Sequence, residues 1–202
     1  MSRPTHSPRH LDERLLVENH STSRAATALP NAPLCRMNFD PMDMLVKLYD
    51  LPKSCAVFER LGEQGIHIRR ALAAEKHKIA AWVRQNFAEG WASETEIAFG
   101  RQPISCFIAV REGRVVGFAC HDATFRNFFG PTGVKLEVRK NGIGTGLLFA
   151  CLEDMRQQGY GYAIVGGVGP TAFYSKAVGA VLIEGSEPGV YRGLLRSSGS
   201  EF

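Results

Sequence analysis

The chain has 202 residues, 45% hydrophobic and 22% charged, with a formal net charge of +4. That is the composition of one globular domain plus a tail, long enough to bury a proper core. The mild positive charge suits an anionic cofactor, but no Lys/Arg run calls for nucleic acid, and no stretch reaches the roughly 18 apolar residues of a membrane span. Cys35, Cys55, Cys106, Cys120 and Cys151 are odd in number and widely spaced, without a C-x-x-C pair. This argues against a disulfide framework or a zinc site and for a reducing, cytoplasmic home. The N-terminus lacks the apolar core of a secretory signal.

Residues 1–35 are rich in Ser, Thr, His, Pro and Arg and lack periodicity, the pattern of a disordered extension. Arg3, Arg9, Arg14 and Arg24 raise a transit-peptide reading that Asp12, Glu13 and Glu18 weaken. Residues 36–64 are expected to form a helical lead-in: a short helix, a break at Pro52 and a second short helix, packed on the outside of the domain. The periodic part occupies residues 65–196, and residues 197–202 read as a tail. Ile66 to Leu72 alternates like a strand. Ala74 to Phe87 places Ile79, Trp82, Val83 and Phe87 on one helical stripe, broken by Gly90. Ser93 with Glu96 has capping-box spacing for a second helix. Ile104–Val110 and Arg114–Ala123 read as a hairpin around Glu112-Gly113. A third strand is expected from Phe128 to Val138, bent at Gly130-Pro131. After a glycine-rich loop and its helix, Tyr162–Val168 reads as a central strand, Thr171–Val178 as a short helix ending at Gly179, and Val181–Glu184 and Val190–Leu194 as two closing strands.

The order βααβββαβαββ is a mixed α/β (α+β) layout with a mostly antiparallel sheet and one crossover helix. The chemistry concentrates in Val134 to Gly146, V-K-L-E-V-R-K-N-G-I-G-T-G. Gly142, Gly144 and Gly146 stand where a helix begins, carried on by Ile143, Leu147, Leu148, Cys151, Leu152 and Met155 and stopped at Gly159. A helix start offers free N–H groups with partial positive charge, and glycines let a bulky anion approach them. Arg139 and Lys140 add full charges. The plainer reading is a turn that only joins strand to helix. A nucleotide site for ATP or NAD is a further reading, but no G-K-[ST] follows the glycines and the order is not that of a dinucleotide fold.

Arg139-Lys140-Asn141-Gly142-Ile143-Gly144 resembles the acyl-CoA signature R/Q-x-x-G-x-G/A of the GNAT (GCN5-related N-acetyltransferase) superfamily. Ala172-Phe173-Tyr174-Ser175-Lys176-Ala177-Val178-Gly179-Ala180 is similar to that family's F-Y-x-K-x-G-F/A segment. The resemblance covers about Gly65 to Leu195. The family's usual glycine is replaced by Lys140, which bears on how closely an anion approaches there. The resemblance implies a GNAT-like sheet with helices on both faces and acetyl-CoA as cosubstrate, with no metal. The pyrophosphate would be held by backbone N–H groups of Arg139, Lys140, Asn141, Gly142, Ile143, Gly144, Thr145 and Gly146, with the Thr145 hydroxyl adding a contact. The strand Val134 to Leu136 would pair with the pantetheine arm, which would enter a gap between this strand and the one at Tyr162–Val168. The acceptor would be a primary amine on a small molecule or protein, attacking the thioester directly. Exposed closing strands of the kind that pair copies in this family leave a homodimer open. A non-catalytic acyl-CoA-binding module of the same fold is the alternative.

The implied chemistry needs a partner for the leaving thiolate, and Tyr174 takes that role on the resemblance; on its own it reads as a buried tyrosine packing a helix on the sheet. A route through an acyl-cysteine is disfavoured, because Cys120 and His121, as neighbours on a strand, point to opposite faces. An amine near pKa 10.4 must also lose its proton, which costs about 4 kcal/mol at pH 7.4. Many relatives carry a glutamate early in the fourth strand, but no carboxylate occurs here from Ala123 to Gly133. Glu94, Glu96, His121, Asp122 and Glu137 are the candidate bases. The acceptor walls would be Phe87–Ser93 and Glu184–Val190, where Glu89, Glu94, Glu184 and Glu187 suit a cation and Trp91 or Phe129 its apolar part.

Overall fold

The computed structural model describes residues 42–195. The expected extension over 1–35, the start of the lead-in and the tail over 197–202 lie outside the described residues. Seven strands, β1 (Met44–Lys47), β2 (Ile66–Arg70), β3 (Cys106–Arg111), β4 (Arg114–His121), β5 (Phe128–Val134), β6 (Tyr162–Val165) and β7 (Val181–Leu182), form one sheet in the order β2-β3-β4-β5-β6-β1-β7. Every neighbouring pair is antiparallel except β5 and β6. The helices are α1 (Cys55–Glu63), α2 (Lys76–Asn86), α3 (Glu89–Phe99), α4 (Ile143–Gln157) and α5 (Thr171–Val178).

The mixed, mostly antiparallel fold follows from local chemistry that the sequence displays. Glu112 and Gly113 both take positive φ (51° and 72°), as the tight turn of the β3–β4 hairpin requires. The apolar stripe of α4 is buried from Ile143 to Met155, and Gly159 ends it in a left-handed conformation. The pleat of β3 and β4 divides the core. Cys106, Ile108, Phe118 and Cys120 face α2 and α3, whereas Phe107, Ala109 and Ala119 face the opposite layer, where α1, α4 and α5 pack.

Several expectations are corrected. The lead-in is not purely helical: Met44–Lys47 is an interior strand, paired on one side with Tyr162–Val165 and on the other with Val181–Leu182. Its reason is tertiary, since Met44 and Val46 face the core and two neighbours supply backbone partners. Pro52 does break the chain ahead of α1. Ser93 does not cap α3, which starts a turn earlier at Glu89. Gly90 then lies in the first turn, and the Ser93 hydroxyl donates back to the Glu89 carbonyl at 3.3 Å. Strand β5 stops at Val134: the Lys135 N–H makes a last bond to the Val116 carbonyl, and Leu136–Val138 curls into a 3-10 turn with Leu136 72% exposed. The second closing strand is absent. Gly189 has φ 57° and begins a 3-10 turn over Gly189–Tyr191, so β7 alone closes that edge.

Candidate active site

The sheet opens where its parallel pair begins to part. β5 and β6 are registered only through Phe128 with Ile164 and Phe129 with Val165. β5 then runs on to Val134, while the chain after β6 turns away through Gly166–Pro170. That departure is held in place: the Gly167 N–H donates to Asp43 Oδ1 at 2.9 Å and the Val168 N–H to the Met42 carbonyl at 3.0 Å. The opening holds two cavities, about 810 Å³ on the side of the glycine loop and about 550 Å³ on the other, which share Trp91, Phe129, Thr132, Pro170 and Tyr174 as walls.

Val134 and the unbroken run from Arg139 to Thr145 line the larger cavity. Lys140 adopts φ 69° and Gly142 φ 85°, so Lys140 keeps the left-handed backbone that a glycine would take there, at about 1–2 kcal/mol for a residue with a Cβ. The first bond of α4 runs from the Gly146 N–H to the Gly142 carbonyl at 3.0 Å. The N–H groups of Ile143, Gly144 and Thr145 precede it and are left over by the helix ladder. A Cβ built on Gly144 would stand 3.8 Å from Val134 Cγ2 and 3.9 Å from the Phe173 ring, at the cavity wall. Arg139 Nε donates to the Val134 carbonyl at 3.0 Å, tying the loop to the end of β5.

Two of the expected cofactor contacts fall elsewhere. Leu136 lies on the exposed turn beyond the strand and lines neither cavity. Gly146 is buried against other elements: its Cβ would come within 2.5 Å of Ile68 and 2.6 Å of Leu61, and its N–H is already bonded. Its lack of a side chain lets α4 lie close to β2 and α1. Arg60 and Gln64, which sequence reading passed over, line the larger cavity, and the Arg60 guanidinium reaches within 3.0 Å of where a Gly142 Cβ would be. They stand about 80 residues before the glycines, and no local pattern links them. Arg60, Arg139 and Lys140 surround the leftover N–H groups with positive charge, so phosphate oxygens fit the donors present.

Tyr174 sits on α5, between the two cavities, edge-on to Phe129 at 6.2 Å and to Phe173 at 4.9 Å. Burial pushes its phenol up to about 12. Of the five candidate bases, only Glu94 lines a cavity, the smaller one. Burial raises its carboxyl, while a hydrogen bond from the Thr124 hydroxyl opposes the rise. Glu96 pairs with Lys76 and Arg84, and Glu137 with Lys135. His121 and Asp122 are buried in a network with Asp154 and Tyr160 behind β4. Cys120 is fully buried and its thiol is pushed well up by burial, the opposite of an activated nucleophile. Of the four glutamates expected at the acceptor walls, Glu89 pairs instead with Arg84, and Glu184 and Glu187 line neither cavity. Trp91 and Phe129 do line both.

Residues 72–179 match the family model of the acetyltransferase (GNAT) family. The chain belongs to that family. Among solved structures, the GCN5-related glucosamine N-acetyltransferase region of a fungal multi-domain GH3 β-N-acetylglucosaminidase is similar at TM-score 0.58 and 19% identity, over 70% of this chain and 19% of that one. A GCN5-related N-acetyltransferase from Sphaerobacter thermophilus is similar at TM-score 0.54 and 20% identity, over 70% of this chain and 48% of that one. These likenesses show the GNAT fold. The chain thus spans less than two thirds of either relative's length. No curated protein matches it. The family's chemistry is acetyl transfer from acetyl-CoA, and the described sheet reaches beyond the matched segment, back to Met44.

No helix among the described residues is long and apolar enough to cross a membrane, and no cluster of three or more His, Cys, Asp or Glu among them could hold a metal ion.

Proposed function

We propose that this protein moves an acetyl group from acetyl-CoA directly to a primary amine. The observation that carries the reading is the opening between β5 and β6, with leftover helix N–H groups at one end and the Tyr174 phenol midway. The N–H groups of Ile143, Gly144 and Thr145, with Arg60, Arg139 and Lys140, hold the pyrophosphate. The free edge of β5 up to Val134 guides the pantetheine arm, and the thioester lies by Tyr174, where the cavities meet. The acceptor enters through the smaller cavity. Its nitrogen attacks the thioester carbon, the C–S bond breaks, the electron pair leaves on sulfur, and the proton still to be lost from nitrogen passes to that sulfur. Tyr174 donates a hydrogen bond to that sulfur. Proton transfer from a phenol near 12 to a thiolate near 8.5 is uphill by about 5 kcal/mol, so Tyr174 stays protonated and acts as a donor. Glu94 receives the proton of the incoming ammonium; its raised carboxyl makes it a better base than an exposed glutamate.

A thermal-shift titration with acetyl-CoA, with ATP and NAD as controls, tests the cofactor. At about 100 times Kd a ligand adds roughly 2.7 kcal/mol, which raises Tm by about 5–10 °C in a chain of this size. The expected result is a shift with acetyl-CoA alone that Gly144→Glu abolishes, followed by thiol release when amines are added. An equal shift with ATP would overturn the reading. Binding without thiol release on any amine would make the protein a binding module.

A further inference from the structure

We infer that the acceptor is a small free monoamine with an apolar body and no carboxylate, rather than an amino acid or a peptide. The inference rests on the transferase reading above and concerns the smaller cavity alone.

Charge is the first ground. Among the described residues that line this cavity, Glu94 is the only one with a formal charge. A second carboxylate stands close behind the wall: Asp43 is buried, receives the Gly167 N–H, and lies 3.3 Å from where a Gly189 Cβ would be. Tyr191 closes the same region, its hydroxyl 2.7 Å from where a Gly166 Cβ would be. After burial itself, the charges of Glu94 and Asp43 both push its phenol up, against a hydrogen bond with Thr124. An ammonium group is stabilised there. A carboxylate would lose its water and meet two like charges, with no cation to pair with among the described lining residues.

Donors are the second ground. Peptides and α-carboxylates are held by backbone N–H groups or by cationic side chains. On one wall Pro131 has none. On the other, the Gly167 and Val168 N–H groups are already given to Asp43 and Met42. Besides the Thr124, Thr132, Tyr174 and Tyr191 hydroxyls, what these walls offer is apolar surface: Trp91, Phe129, Val165, Val168 and Leu194. One carboxylate for the ammonium and apolar walls for the remainder describe a monoamine.

Thiol release from acetyl-CoA is measured with phenethylamine, with L-phenylalanine, which adds only the carboxylate, and with an N-blocked peptide containing one lysine. Tryptamine and octylamine extend the monoamine panel. The expected result is a kcat/KM for a monoamine at least about a hundredfold above that for phenylalanine or the peptide. Glu94→Gln should raise KM for the monoamine about ten- to hundredfold, the loss of one charge-assisted contact, and lower kcat as well because the base is gone, with KM for acetyl-CoA changed less than about twofold. Glu94→Asp should recover part of that loss, and the acetyl-CoA thermal shift of each variant reports its fold. Equal or better turnover of phenylalanine or the peptide overturns the inference and leaves the transferase reading standing. Binding of acetyl-CoA without turnover of any monoamine overturns it too. Loss of the acetyl-CoA shift in the wild-type protein removes the transferase reading itself.

Discussion

Tyr174 is 7% exposed, yet it lines both cavities. A phenol so placed is held neutral by burial and keeps its proton to donate in a hydrogen bond. Tyr174→Phe keeps the ring and its edge contacts with Phe129 and Phe173 and removes the hydrogen bond that the proposed function gives to the leaving sulfur. The expected effect is a fall in kcat of about a hundredfold with the acetyl-CoA Kd within about twofold, measured by thiol release and thermal shift. No fall in kcat would remove Tyr174 from the chemistry. Since its phenol titrates near 12, the wild-type rate should show no Tyr174 limb up to about pH 10. Tyr174 was legible because its neighbours form a recognisable segment; Glu94 was one acid among several. Only the packing of α3 beside the opening sets Glu94 apart from Glu96, two residues along the same helix but turned to Lys76 and Arg84.

The glycine loop and α4 act as one element, and their three glycines do different jobs. Gly142 supplies a left-handed turn, Gly144 faces the cavity, and Gly146 lets the helix lie close to Ile68 and Leu61. Gly146→Val should therefore overpack the core, lowering stability by about 2–3 kcal/mol and Tm by roughly 4–12 °C in a chain of this size. The acetyl-CoA affinity of the folded protein should stay the same, as thermal denaturation with and without acetyl-CoA would report. A loss of affinity with unchanged Tm would return Gly146 to the cofactor site. The start and stop of α4 were written in local residues, because capping and periodicity act within a turn or two. β1 was not, because four residues carry no period and Met44–Lys47 is extended only because of partners that lie over 110 residues on. Likewise Val190–Leu194 has strand-like side chains, yet Gly189 and the contact of Tyr191 with Gly166 turn it across the smaller cavity.

Across the whole molecule, one buried ionic network ties the sheet to α4. Arg70 on β2 pairs with Asp154 on α4 and lies 4.7 Å above the Phe107 ring. Asp154 also meets His121 Nε2 at 2.8 Å, and Asp122 stands 3.4 Å from Nδ1. Burial alone would raise the Asp154 carboxyl, but His121 and Arg70 outweigh it and hold it at about 2. A carboxyl depressed in the fold stabilises it above the unfolded value near 4, and that stability is lost as pH falls from about 4 to 2. The loss is about 2 kcal/mol for Asp154. Burial would lower His121, yet its two carboxylates raise it. Its contribution is therefore full below about pH 6.5 and is lost as pH rises through the raised value. Thermal denaturation from pH 2 to 9 should show both limbs in the wild type, and Asp154→Asn should shrink the acid limb, leaving the part that Asp122 and Glu75 contribute; an unchanged acid limb would place that stability elsewhere. By itself the sequence determined what depends on near neighbours: the hairpin, the helix stops at Gly159 and Gly179, the glycine loop and the mixed α/β order. The tertiary structure decided which distant groups share a space: β1 inside the sheet, Arg60 beside the glycines, Glu94 rather than another acid in the smaller cavity, and Asp43 behind its wall. Such contacts rest on loop closure and packing between segments far apart in the chain, and no short window of residues encodes them.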